Sequence, residues 1–211
     1  RHHWFYTFPD AIATVIDKNE SFNMDNIAYW GDTISSIVSK KEYMKSIDAN
    51  DTEYFMLGGG GNDIQDGINE FIYTYSKNRP LDEYLTPNGE KALAVIGKQY
   101  SEILSEVSST FPKVKILCHG YDYPRPSNGS KYIGKYLQRK GIPEYKMKAV
   151  ISSVIDKLNF VIRTEVTKIS QATFINLLGK SGTYTWFDDM HPDDDGFIAL
   201  AKKFETKMKP L

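Results

Sequence analysis

Apolar residues fall in two rhythms along this chain. The first is the short unbroken run: Asn26–Trp30 (NIAYW), Tyr54–Leu57 (YFML), Val114–Cys118 (VKILC) and Phe174–Leu178 (FINLL), each with a glycine within two residues of its end. Runs of that length, stopped by glycine, predict buried strands. The second rhythm is helical. Ile12, Val15 and Ile16 follow Pro9. Thr86 before Pro87 has the form of a cap and a first-turn proline, and Leu93, Ile96, Tyr100, Ile103, Leu104 and Val107 then keep one stripe. A second long helix is predicted from Pro143, with Met147, Val150, Ile151, Val154, Ile155, Leu158 and Ile162 on one side. A last one follows Pro192, carrying Phe197, Ile198, Leu200, Ala201 and Phe204. Strands alternating with crossover-length helices predict an α/β fold with a parallel sheet covered on both faces. Ligands of such sheets bind beyond the carboxyl ends of the strands. Here those ends read Gly31, Gly58–Asn62, His119-Gly120 and the turn that leads to His191.

Composition narrows the picture without redirecting it. The 211 residues show no repeat, low-complexity tract or linker, so one domain over 1–211 is expected. Apolar content of 41% and charged content of 25% are globular values. Twenty-six basic residues against 27 acidic ones give a net charge of −1, which argues against a nucleic-acid partner. No run reaches the roughly 20 apolar residues of a membrane span. The one cysteine, Cys118, excludes an intramolecular disulfide and a multi-cysteine metal site. The chain begins at Arg1 without a methionine, so the compartment stays open.

Two stretches carry candidate chemistry. In GGGGND, glycines after a strand let a ligand approach the main chain, but neither dinucleotide-loop nor P-loop spacing is present. One reading of the stretch is a tight strand-to-loop turn; in the other, Asn62, held at a strand end, would donate its amide N–H to a developing oxyanion. In FDDMHPDDDGF (Phe187–Phe197), Asp188 precedes His191 by three, so one turn brings the carboxylate to the imidazole and fixes its tautomer. Asp193–Asp195 suit the first turn of a helix. A metal site using His191, Asp188, Asp189 and His2 or His3 is the competing reading of the same residues. Cys118 ends a buried run and reads as inert.

Taken in order, WGDT (Trp30–Thr33), GGND (Gly60–Asp63) and DDMHP (Asp188–Pro192) resemble three sequence blocks of the SGNH/GDSL hydrolase superfamily. HGYDYPRP (His119–Pro126) is similar to a loop in one branch of it. The resemblance implies a three-layer α/β/α sandwich, flavodoxin-like, with a mainly parallel sheet. It also implies cleavage of an ester or O-acyl group by a serine nucleophile, with no metal or cofactor. Gly31 (backbone N–H) and Asn62 (side chain) would form the oxyanion hole. His191 would be the general base, Asp188 its orienting acid, and Asp189 a bystander. The implied partner is a small-molecule or acylated substrate.

One block departs from the pattern. With Trp4-Phe5 laid on the family's first block, Arg1-His2-His3 fall where Gly-Asp-Ser belongs, and His3 takes the nucleophile's position. The first strand of the fold is then lacking too, and another segment or chain is expected to supply it. Thr33 in GDT mimics the serine motif, but its distance from Asn62 suits the second block, and helix capping is its expected role. Two readings follow: a hydrolase whose serine lies outside the matched residues, or a non-catalytic binding module on the same fold.

Overall fold

A computed structural model of the chain describes residues 11–179 and 185–208. Three short strands, β1 (Tyr54–Leu57), β2 (Lys115–His119) and β3 (Ala172–Ile175), pair in parallel in the order β1-β2-β3. Around them lie α1 (Ile12–Asp17), α2 (Ile34–Lys40), α3 (Glu42–Ala49), α4 (Gly61–Phe71), α5 (Pro87–Thr110), α6 (Gly134–Arg139), α7 (Glu144–Val166) and α8 (Asp194–Glu205).

The strands bury both faces, as an all-parallel sheet must. Phe55, Leu57, Ile116 and Cys118 point into one hydrophobic cluster with the stripes of α5 and α7. Their neighbours Met56, Leu117 and Ile175 point into a second cluster with Ile16 of α1 and Leu200, Ala201 and Phe204 of α8. Successive strand residues face opposite sides, so this alternation places helices in two outer layers. The architecture is therefore the α/β/α sandwich expected from the sequence. Every residue of the predicted α7 stripe is buried, and Thr86 caps α5 by accepting from the Gly89 N–H at 3.2 Å. On the last helix Ile198 departs from its stripe and is 40% exposed. The aromatic stretch Ile68–Leu85 forms part of the core: Ile68, Ile72, Tyr84 and Leu85 are buried, and Ile72 bridges Leu85.

One predicted strand does not form. Asn26–Trp30 is irregular, because local hydrogen bonds replace a ladder. The Asn26 side chain accepts from the Ala28 N–H, and the Asp32 N–H donates to the Tyr29 carbonyl in a turn. Ile27 still packs on the core, while Tyr29 and Trp30 are 61% and 66% exposed.

Among the described residues β1 has a strand on one side only. The Glu53 carbonyl accepts from Lys115 of β2, so alternation turns the backbone groups of Met56 the other way. Along that outer side runs a groove of about 840 Å³, lined by Ile16, Tyr43, Ile47, Met56 and Gly58 and reaching Asn62. The hydrophobic load of the fold lies elsewhere, between α5, α7 and the sheet. Leu158→Ala, at a fully buried position of α7, is expected to lower unfolding free energy by about 2–5 kcal/mol in urea titration. Ile198→Ala should stay within about 0.5 kcal/mol of the parent.

Candidate active site

β1 ends in Gly58–Gly61, and the geometry of this loop aims everything that follows. Gly60 has φ +101°, which places the start of α4 at a sharp angle to the strand and is strained for any side chain. Gly58 is required for a different reason: a Cβ there would lie 2.1 Å from Nε2 of His119. Two tyrosines pin the loop. The buried Tyr100 hydroxyl donates to the Gly59 carbonyl at 3.0 Å, and the Gly61 N–H donates to the Tyr121 hydroxyl at 3.0 Å. Burial pushes the Tyr121 phenol up to about 12, so it remains a neutral hydroxyl there.

The first turn of α4 then reaches back to residues 32–34. Asn62 donates from Nδ2 to the Asp32 carbonyl at 2.9 Å, which leaves its second amide hydrogen for another acceptor. The Asp63 carboxylate accepts from the Ile34 N–H at 2.9 Å. Burial raises the Asp63 carboxyl above its usual range, and that backbone N–H opposes the rise. These two contacts tie GGND to WGDT. Within WGDT, Gly31 takes φ +80°, and its N–H meets no acceptor among the described residues. Asp32 binds Lys40 at 2.8 Å and the Ser36 hydroxyl at 2.9 Å, and the Lys40 contact lowers its carboxyl. Thr33 caps α2 through the Ser36 N–H. Its position at the helix start is that of a cap, as its sequence context suggested.

The third block closes on itself. Asp188 Oδ1 accepts from the N–H groups of Met190 and His191 at 2.8 and 2.7 Å. The same carboxylate takes the His191 ring at Nδ1, 2.9 Å from Oδ1 and 2.8 Å from Oδ2. A bridge between Trp186 and Pro192 holds the ends of the turn together. With Nδ1–H given to Asp188, a neutral His191 ring keeps its lone pair on Nε2. Two aromatic rings flank the imidazole: Trp30 at 6.0 Å between centroids, tilted, and Tyr132 at 5.2 Å, edge-on. Trp30 is the residue before Gly31, so this contact brings the histidine turn to the loop that Asn62 holds. His191, Asp188, Gly31 and Asn62 are thus gathered at one rim, beyond the carboxyl ends of the strands.

The remaining aspartates of FDDMHPDDDGF have separate tasks. Asp193 caps α8 by accepting from the Gly196 N–H at 2.9 Å, and Asp194 and Asp195 lie in its first turn. Asp189, the expected bystander beside the His191–Asp188 pair, is 3% exposed and accepts from the 132–134 backbone and the Ser130 hydroxyl. These carboxylates diverge, and among the described residues no three His, Cys, Asp or Glu side chains converge on a metal position. Cys118 is buried, and burial drives its thiol far above the usual range. Ser35 accepts from the Gln99 side chain. His3, with Trp4 and Phe5, lies outside the described residues.

Sequence reasoning missed Asn159. From the middle of the apolar α7 stripe its side chain accepts from the Tyr121 N–H at 2.7 Å and donates to the Tyr121 carbonyl at 2.8 Å. Tyr121 in turn receives the Gly61 N–H, so a buried amide two steps away fixes the glycine loop. A lone asparagine on an otherwise apolar helix face was the available signal.

No family model and no curated protein sequence matches the chain. Solved structures do. A carbohydrate esterase family 3 protein from Talaromyces cellulolyticus superposes with a TM-score of 0.55 at 14% identity, over 88% of this chain and 70% of that one. A phospholipase A1 from Streptomyces albidoflavus gives 0.56 at 18% identity, over 87% and 80%. This chain has the SGNH/GDSL hydrolase fold. An extracellular lipase from Streptomyces rimosus adds a third superposition, with a TM-score of 0.54 at 16% identity over 82% and 76%. At these identities the SGNH likeness is one of fold. No helix among the described residues is long and apolar enough to cross a membrane.

Two predictions follow from the packing around the glycine loop. Tyr100→Phe leaves the buried Gly59 carbonyl without its donor, and is expected to cost about 1–3 kcal/mol in urea titration. His119 donates from Nδ1 to the Gly120 carbonyl at 2.8 Å, and burial lowers its pKa. A histidine whose folded pKa is depressed stabilises fully above its unfolded value, near about 6.5, and loses that stability as pH falls below it. Unfolding free energy measured from pH 8 to pH 5 should therefore fall more steeply in the parent than in His119→Asn.

Proposed function

We propose that this SGNH-fold protein is an acyl hydrolase that cleaves an ester or O-acyl group, with 1–211 acting as one domain. His191 serves as general base, Asp188 holds its Nδ1–H and stabilises the imidazolium, and Gly31 N–H with the Asn62 amide receives the oxyanion. The single observation that carries this reading is the assembly of three sequence-distant blocks at one rim, through the Asn62–Asp32 bond and the Trp30–His191 contact.

The chemistry is that of nucleophilic acyl transfer. A serine hydroxyl attacks the acyl carbon as Nε2 of His191 takes its proton. The carbonyl oxygen gains negative charge and is met by the two donors. The imidazolium then returns the proton to the leaving alcohol, and water repeats the sequence on the acyl-enzyme. One oxyanion donor contributes typically about 3 kcal/mol to such a barrier. The serine is not among the residues matched to the family's first block. We place it at the end of a strand seated in the groove beside β1, supplied by another segment or chain, because that groove opens at Asn62.

In the intact native protein a fluorophosphonate probe should label a serine. His191→Ala should reduce turnover of p-nitrophenyl acetate by about a thousandfold or more. Absence of both labelling and turnover in the native protein would reject the hydrolase. Arg1-His2-His3 at the nucleophile's position favours the second reading, a binding module. That reading predicts acyl-ligand binding that survives His191→Ala, without hydrolysis.

A further inference from the structure

Asp188 and Asp189 are neighbours in one turn, yet their carboxylates serve opposite sides of it. Asp188 faces His191. Asp189 is buried and faces the loop that leads into α6. Its Oδ1 accepts from the Tyr132 N–H at 3.0 Å. Its Oδ2 accepts from the Ile133 N–H at 2.6 Å, the Gly134 N–H at 3.0 Å and the Ser130 hydroxyl at 2.9 Å. The Asp189 carbonyl also accepts from the Arg125 N–H at 3.0 Å. Burial alone would raise this carboxyl, but the Gly134, Ile133, Tyr132 and Ser130 donors outweigh it and hold it below the usual range. The loop is shaped to this carboxylate: at Gly134 a Cβ would lie 1.9 Å from the Ser127 carbonyl oxygen.

The consequence lies one residue along. Fixing the Tyr132 N–H on Asp189 stands the Tyr132 ring edge-on to the His191 imidazole, 5.2 Å away at 83°. The imidazole then has Asp188 on Nδ1 and the Tyr132 ring against its side. We propose that Asp189 is a positioning residue for His191, acting through Tyr132. This rests on the hydrolase reading of the same site. A base that alternates between neutral and protonated forms must keep one orientation through both, and a packed aromatic edge restricts the ring rotation that a single hydrogen bond allows. Asp189 must be a carboxylate for this purpose. Four donors converge on its two oxygens, whereas an amide has one acceptor oxygen and would turn its own N–H toward at least one of them.

The test compares Asp189→Asn, Tyr132→Ala and Tyr132→Phe in the intact native protein, each first shown to be folded by its urea transition. With p-nitrophenyl acetate, Asp189→Asn and Tyr132→Ala should each lower kcat about ten- to hundredfold with KM held within about twofold, and Tyr132→Phe should match the parent. Combining Asp189→Asn with Tyr132→Ala should be no worse than the more damaging single change, since both act on one contact. A second reading uses no substrate. The His191 Hδ1 proton resonance is expected to be visible in the parent and in Tyr132→Phe, and to broaden away in Asp189→Asn and Tyr132→Ala. Unchanged kcat and an unchanged Hδ1 resonance in the two variants would overturn the proposal, as would a double variant whose losses multiply. If Asp189→Asn does not fold, Tyr132→Ala at a partly exposed position decides. If the parent turns over no ester, the hydrolase reading fails by itself and the Hδ1 resonance alone decides the positioning role.

Discussion

The double latch from α4 to residues 32–34 is the constraint on which the rest of the site depends. Asn62 donates to the Asp32 carbonyl and Asp63 accepts from the Ile34 N–H. Residues 26–31 form no strand, so these bonds join the Ile27 core contact in fixing where the Gly31 loop lies relative to β1. The latch works because Gly60 turns the chain through a conformation that only glycine adopts without strain. It also works because Tyr100, Tyr121 and, behind Tyr121, Asn159 immobilise the loop. The Asn62 amide is thus held at the junction of a buried strand and a helix. That is the preorganisation an oxyanion donor needs.

Much of the fold was legible from local pattern. The stripes of α5 and α7, the cap at Thr86 and the strand at Tyr54–Leu57 appear where the periodicity of the sequence put them, since burying an apolar face leaves few alternatives. Asn26–Trp30 was misread for a physical reason. Its apolar residues were equally compatible with a strand and with a loop that packs one isoleucine and exposes two aromatics. Pairing partners decide between those, and a run of five residues does not reveal them. Outside a strand, the exposed Trp30 ring lies against His191.

The site shows the same division at finer scale. The His191–Asp188 pair is local, three residues apart, and one turn suffices to form it. The roles of the other aspartates were legible in part: Asp193–Asp195 start a helix, as their place after Pro192 suggested. Asp189 was not legible. Its partners lie 55 to 59 residues away, and nothing near it in sequence marks it as buried. A charged residue beside a functional one reads as solvated until the fold supplies donors for it.

The sequence by itself determined the alternation of strands and helices, the glycine break that ends β1, and the identity of a histidine with its own carboxylate. Those features depend on contacts within a few residues and on apolar periodicity. Only the tertiary structure decided that Gly31 and Asn62 share a rim with His191. The same holds for the seating of Asp189 in the backbone of a distant loop, and for the groove along the outer side of β1. Each of these needs hydrogen-bond partners brought from remote parts of the chain, and the packing of α5 and α7 on the sheet is what brings them together.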